Sequence, residues 1–184
     1  MAQKRACAAV EVHFLGELQS VSVLGESAPI SVRWTMASGP SWRHVQGFQS
    51  GQTHVCMPNG SSKVALLSHP LDVHYAATGL AGWPRLSLTV VSKDGSRLCG
   101  YGVVNVPCSP GMHELDVALW LPHASLLEQL SHTLFGGKGV RLVHEDAVHS
   151  QINRRRLQSR STGSARVSIA VVLKDFERFA IATS

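Results

Sequence analysis

The chain has 184 residues, room for one domain, with a charged fraction of 16% and a formal net charge of +5. Charged residues make up about 25% of a typical soluble domain, so a solvated helical bundle is a poor fit and buried strands a better one. The excess positive charge is local, because Arg154, Arg155, Arg156, Arg160 and Arg166 follow one another with no acidic residue between them.

In chain order, Val10, Val12 and Phe14 alternate with Glu11, His13 and Leu15, the period-two pattern of a half-buried strand that is expected to end near Gly16. The second strand is Ile30 to Met36, with Ile30, Val32, Trp34 and Met36 on one face. Ser38-Gly39-Pro40 breaks the chain. Trp42 to Phe48 and Gln52 to Met57 are expected to form the two arms of a hairpin around Ser50-Gly51. After a loop at Pro58 to Ser62 comes a short apolar run, Val64 to Leu67.

The stretch from Ser68 to Arg85 organises the rest. It opens on Ser68-His69-Pro70, places Leu71, Val73 and Tyr75 on one strand face and Asp72 and His74 on the other, and turns at Gly79 to Gly82. It then delivers Trp83 and Pro84 into a strand marked by Leu86, Leu88 and Val90. Lys93-Asp94-Gly95-Ser96 predicts a tight turn. The returning strand, Leu98 to Val106, carries Gly100 and Gly102 on either side of Tyr101, which marks a bulge or a close approach by a neighbour. A turn over Pro107 to Gly111 leads to a strand at Met112 to Leu121. Leu126, Leu127, Leu130 and Leu134 predict one short inserted helix closed by Gly136-Gly137. Arg141 to Val148 is a short strand candidate, 151–165 a basic loop, and Val167 to Leu173 the last strand, with a tail through Phe176 and Phe179. Many short strands with Gly/Pro turns make this an all-β, single antiparallel β-sandwich.

Cys7, Cys56, Cys99 and Cys108 form no CxxC pair, so they read as reduced thiols of a cytoplasmic protein. The start of the chain does not read as a secretory signal, and no stretch reaches the ~20 apolar residues of a membrane span. His69 and His74, and His144 and His149, lack zinc-ligand spacing, so no metal is expected. Calcium needs several converging carboxylates, whereas Asp72 and Asp94 stand apart in the sequence. Ser68-His69 has no nucleophile elbow around it, and Gly100-Tyr101-Gly102 is no phosphate cradle. These readings give no catalytic residues, no cofactor and no enzyme.

Four ordered blocks carry a family resemblance: Ser68-His69-Pro70-Leu71-Asp72, Gly79-Leu80-Ala81-Gly82-Trp83-Pro84-Arg85, Gly100-Tyr101-Gly102, and Val106-Pro107-Cys108-Ser109-Pro110-Gly111. Together with Gly51-Gln52-Thr53 and Leu173 to Phe179, the series resembles the B9 domain, a family of proteins of the ciliary base. The Ser-His-Pro start resembles the family's second member more than its first. The resemblance implies a C2-like sandwich over 10–179, with an extension at 1–9 and a tail at 180–184. It further implies a non-enzymatic subunit of a transition-zone complex that holds other B9-domain proteins, gates ciliary protein entry and supports ciliogenesis. The implied location is the cytoplasmic side of the cilium base, among basal body, transition zone and cytoskeleton.

Two other readings stand beside it. One is a stand-alone C2-like module on anionic membrane lipid, using Arg154, Arg155, Arg156 and Arg160; those arginines could equally meet an acidic protein. The other is a tubulin contact. Nucleic acid is not expected, because few aromatics interleave the basic run. Trp83, held between Gly82 and Pro84, is expected to plug the core.

Overall fold

In the computed structural model, residues 10–122 and 159–177 are described. Nine antiparallel strands account for most of them: β1 Val10–Val23, β2 Ile30–Ala37, β3 Trp42–Gly47, β4 Ser50–Gln52, β5 Val64–Ala77, β6 Arg85–Ser92, β7 Leu98–Asn105, β8 Gly111–Pro122 and β9 Ser159–Lys174. They form one continuous sheet in the order β3-β5-β1-β9-β8-β7-β6-β2-β4. The all-β antiparallel architecture is thus as expected, but its two layers are halves of one curled sheet. The bend lies at β7 and β8, which pair only at Tyr101↔Trp120 and Gly102↔Leu119.

Alternation explains the interior. Val10, Val12 and Phe14 of β1, Leu71, Val73 and Tyr75 of β5, Ile30, Val32, Trp34 and Met36 of β2, and Leu86, Leu88 and Val90 of β6 all belong to one buried cluster. Tyr75 and Phe14 are among its largest fully buried side chains. Burying such a side chain contributes roughly 1.5–3 kcal/mol, so the alternation itself fixes the register: a one-residue slip would turn each set to solvent. A second, smaller cluster of Val91, Leu98, Tyr101 and Trp120 lies apart from the main one.

Several expectations are corrected. β1 does not end at Gly16 but runs on to Val23, with Gly16 paired to Leu71 on one side and Ile169 on the other. The chain passes so closely there that a Cβ on Gly16 would lie 2.1 Å from the Ser168 carbonyl oxygen. The expected hairpin over Trp42 to Met57 does not form. β3 pairs with β5 and β4 with β2, at opposite ends of the sheet order, so this segment carries the chain from one layer to the other. Val64 to Leu67 and the stretch from Pro70 belong to one strand, joined through a bulge in which Leu67 and Ser68 oppose Gln19. Ser68 takes φ +42° at that bulge. The basic loop expected over 151–165 is strand from Ser159 onward, because Ser159 to Ala165 pair with Pro122 to Val117. The helix expected at Leu126 to Leu134, the strand candidate at Arg141 to Val148, and Arg154, Arg155 and Arg156 lie outside the described residues.

Candidate functional surface

Ser68 to Arg85 brings two separate structural devices together. At its start, Pro70 sits inside β5 opposite Glu17, where the strand's other side is not paired with β3. The missing amide hydrogen therefore costs no ladder bond. His69 points the other way, and its Nε2 accepts a hydrogen bond from the Trp34 indole nitrogen at 2.9 Å. This bond ties β5 to β2, the two halves of the curl, and requires neutral His69 with its proton on Nδ1. Burial, and then the nearby His54, hold the His69 pKa below its ordinary value. Gly51 leaves room for the same indole: a Cβ there would stand 2.9 Å from the Trp34 nitrogen. A second tie runs from the buried Tyr75 hydroxyl to the Met36 carbonyl at 2.9 Å.

The second device is the turn. Gly82 lies at φ +73°, with its backbone against Gly39. Trp83 follows, packing edge-on against Trp42 and Phe14 at ring separations of 5.0 and 6.2 Å. It lies against the core but is only half-buried, and Pro84, not Trp83, is the fully buried residue of the pair. Gly79 sits in the same turn with ordinary space around it.

Asp72 and His74 point outward from β5 to β1. The His13 ring nitrogen lies 2.7 Å from the Asp72 carboxylate, and His74 lies 3.3 Å from Glu11, which also meets Lys174 at 2.8 Å. The hydrogen bond from Lys174 leads the effects that hold the Glu11 carboxyl below its usual range. Sequence reading missed this array, although the outward alternation of Glu11 and His13 opposite Asp72 and His74 carried the signal. It also missed Glu26, a buried carboxylate that accepts the Ala28 amide at 2.8 Å and pairs with Arg97. Burial pushes the Glu26 carboxyl up, but the Ala28 amide, Arg97 and the Ser27 amide together hold it below the ordinary range.

Gly100 and Gly102 face the main core, while Tyr101, itself buried, faces the second cluster beside Trp120. A Cβ at Gly100 would meet the Thr162 hydroxyl at 2.7 Å, and one at Gly102 would meet Leu119 and Val117 at 2.9 Å each. The neighbours that crowd the glycines are side chains of β8 and β9. Pro107 and Pro110 frame the next turn, which Gly111 leaves at φ +119°. Asp94, in the β6–β7 turn, is held well below the usual carboxylate range by Ser92 and Ser96. It is remote in the fold from Asp72, which lies mid-strand in β5. Among the described residues no group of three or more His, Cys, Asp or Glu is placed to hold a metal ion.

The basic run is split by the fold. Arg160 is exposed on β9 opposite Leu121, while Arg166 meets Asp116 at 3.2 Å. Among the described residues Lys and Arg match Asp and Glu in number, nine of each. The net positive charge therefore resides outside the described strands.

Comparison with known proteins adds the following. A family model described as "Ciliary basal body-associated, B9 protein" matches residues 12–172. The chain is 38% identical to B9 domain-containing protein 2 of Bos taurus over 174 residues, covering 93% of this chain and 98% of the relative. It is 37% identical over the same length to that protein of Homo sapiens, and 26% identical over 150 residues to B9 domain-containing protein 1 of Mus musculus.

Proposed function

The chain belongs to the B9 domain family of ciliary basal body-associated proteins, and on that basis we propose that it is a non-enzymatic structural subunit of the transition-zone complex. In this reading it assembles with other B9-domain proteins between basal body and axoneme, supports ciliogenesis and gates protein entry into the cilium. The observation that carries the reading is the extent of the match: relatives align over 93% of this chain, and the B9 family model covers residues 12–172. In this reading, function resides on the outside of the sandwich. The motif residues described above serve packing and turns: Gly82 and Gly39 pass backbone to backbone, Gly100 and Gly102 admit Leu119 and Val117, and His69 ties the two halves together.

Arg154, Arg155, Arg156 and Arg160 form the accessory contact of this reading, to an acidic partner or to anionic lipid within the complex. Arg166, the fifth arginine of the basic run, does not join that set, because it pairs with Asp116. A basic residue near an anionic leaflet contributes ~1 kcal/mol, so the remaining four supply at most about 4 kcal/mol, a dissociation constant of roughly 1 mM. That is too weak to anchor a lone protein but useful within a multivalent assembly. The arithmetic favours the subunit over a stand-alone lipid module. Liposome flotation separates them: salt-sensitive flotation of the purified chain alone supports the module, and flotation only with sibling B9 proteins supports the subunit.

A further inference from the structure

At the start of β9 the sequence and the fold single out one hydroxyl, that of Ser159. In the whole chain Ser159 is the one serine or threonine with an arginine three residues before it, Arg156, and Arg154 stands five before. No Asp or Glu occurs between Asp146 and Asp175. Protein kinases choose substrates partly by charge pattern. Those directed by arginine hold the guanidinium groups on carboxylates, through paired hydrogen bonds that give both energy and orientation. Arginines three and five residues before a serine make the substrate pattern of that class.

The fold leaves this hydroxyl within reach. Ser159, Arg160 and Ser161 are exposed, whereas Thr162, next in the run, is buried. Among the described residues only β8 pairs with Ser159, through Pro122; β1 first pairs with β9 at Gly163. The next bond on the β1 side, from the Leu24 amide, stops at the Thr162 carbonyl. Pro122 has no amide hydrogen, so the Ser159–Pro122 pair cannot exchange both ladder bonds. Strand ends held by so few bonds open locally at low cost. Ser161 is equally exposed, but it has Gln158 where Ser159 has Arg156.

We infer that Ser159 is the phosphoacceptor of an arginine-directed protein kinase, and that its phosphate switches off the basic contact made by Arg154, Arg155, Arg156 and Arg160. The Ser159 Oγ attacks the γ-phosphorus of ATP. The Oγ–P bond forms, the bond from that phosphorus to the β–γ bridging oxygen breaks, ADP leaves, and the hydroxyl proton passes to the kinase's base. The product carries about −1.5 to −2 of charge at pH 7, which offsets nearly half of the four positive charges around it. The switch rests on the reading of those arginines as an accessory contact; the phosphorylation site does not.

The test incubates the full chain with Mg²⁺, ATP and purified protein kinase B, an arginine-directed kinase, and maps phosphate by peptide mass spectrometry. Ser159 is expected to be the principal acceptor. Arg154→Gln and Arg156→Gln are each expected to lower kcat/KM at least about tenfold. Ser159→Ala should abolish labelling with an unchanged melting temperature, since its side chain is exposed. Labelling that prefers Ser161 or another serine, or that ignores both arginine variants, would overturn the site. Binding before and after phosphorylation is then read at roughly millimolar concentrations of two probes, phosphatidylserine vesicles for lipid and polyglutamate for an acidic protein. The phosphate is expected to weaken whichever is bound at least about tenfold. Equal binding before and after would overturn the switch and leave the accessory contact standing. Binding to neither probe before phosphorylation would overturn the accessory contact and the switch together, with the site decided by the first arm.

Discussion

Gly39 and Gly82 meet backbone to backbone. The Gly39 amide donates to the Gly82 carbonyl at 2.8 Å, and a Cβ built on Gly82 would stand 2.5 Å from the Gly39 Cα. This contact fixes the turn that delivers Trp83 and Pro84 into β6. Gly82→Ala must clash with backbone and also hold an alanine at φ +73°, so a loss of about 2–4 kcal/mol is expected. Gly79→Ala, three residues earlier, meets nothing nearer than 3.9 Å and is expected to stay within about 0.5 kcal/mol of wild type. Urea unfolding of the two variants checks the contrast; equal stability would show that the contact does not matter.

Trp83→Ala removes a half-buried ring with two edge-on aromatic partners, Trp42 and Phe14. Truncating a core Trp costs roughly 3–5 kcal/mol, and partial exposure puts this one near the lower end, about 3 kcal/mol. Trp83→Phe should recover more than half of that. A Trp83→Ala protein that stays as stable as wild type but no longer binds its partner would make Trp83 an interface residue instead.

His69 makes stability depend on pH. Its pKa is lowered in the fold, so the unfolded chain takes up the proton first. The contribution of His69 is complete above about pH 6.5 and is lost as pH falls through the lower folded value, where protonated Nε2 can no longer accept from Trp34. Melting temperature is expected to fall from pH 7 to pH 5, with a smaller fall in His69→Gln, whose amide oxygen can still accept. An identical pH profile in the two proteins would remove His69 as the cause.

Much of the fold is legible in the sequence because a period of two declares which face is buried. The Val10–Phe14, Ile30–Met36 and Leu86–Val90 alternations all mark real inner faces. What fails to show is pairing. Trp42 to Met57 resembles a hairpin locally, yet its arms are claimed by β5 and β2, long-range partners that no local pattern names. β9 reads too short for a similar reason: Ser159 to Ala165 are small or polar, and they extend because β8 runs beside them and β1 pairs with Gly163 to Ala165 on the other side. For the candidate site at Ser159, the spacing of Arg154 and Arg156 before it is written in the sequence, but its exposure and one-sided pairing are not.

The cysteines should separate by reactivity. Cys99 is buried and its thiol is pushed up to about 11, first by burial, while Cys108 is exposed. At pH 8 alkylation mapped by peptide mass spectrometry is expected at Cys108 at least about tenfold faster than at Cys99, since a thiolate is the reacting species. Comparable rates would mean that the β6–β7 end opens readily, and Glu26 and Arg97 with it.

The most direct test of the central claim is the position of the full-length protein, tagged, in a ciliated cell, imaged together with basal-body and axonemal markers. A discrete focus just distal to the basal body, which recovers other B9-domain proteins on affinity isolation, is the expected result. Diffuse signal in cells with normal cilia, and isolation without any B9-domain protein, would contradict it.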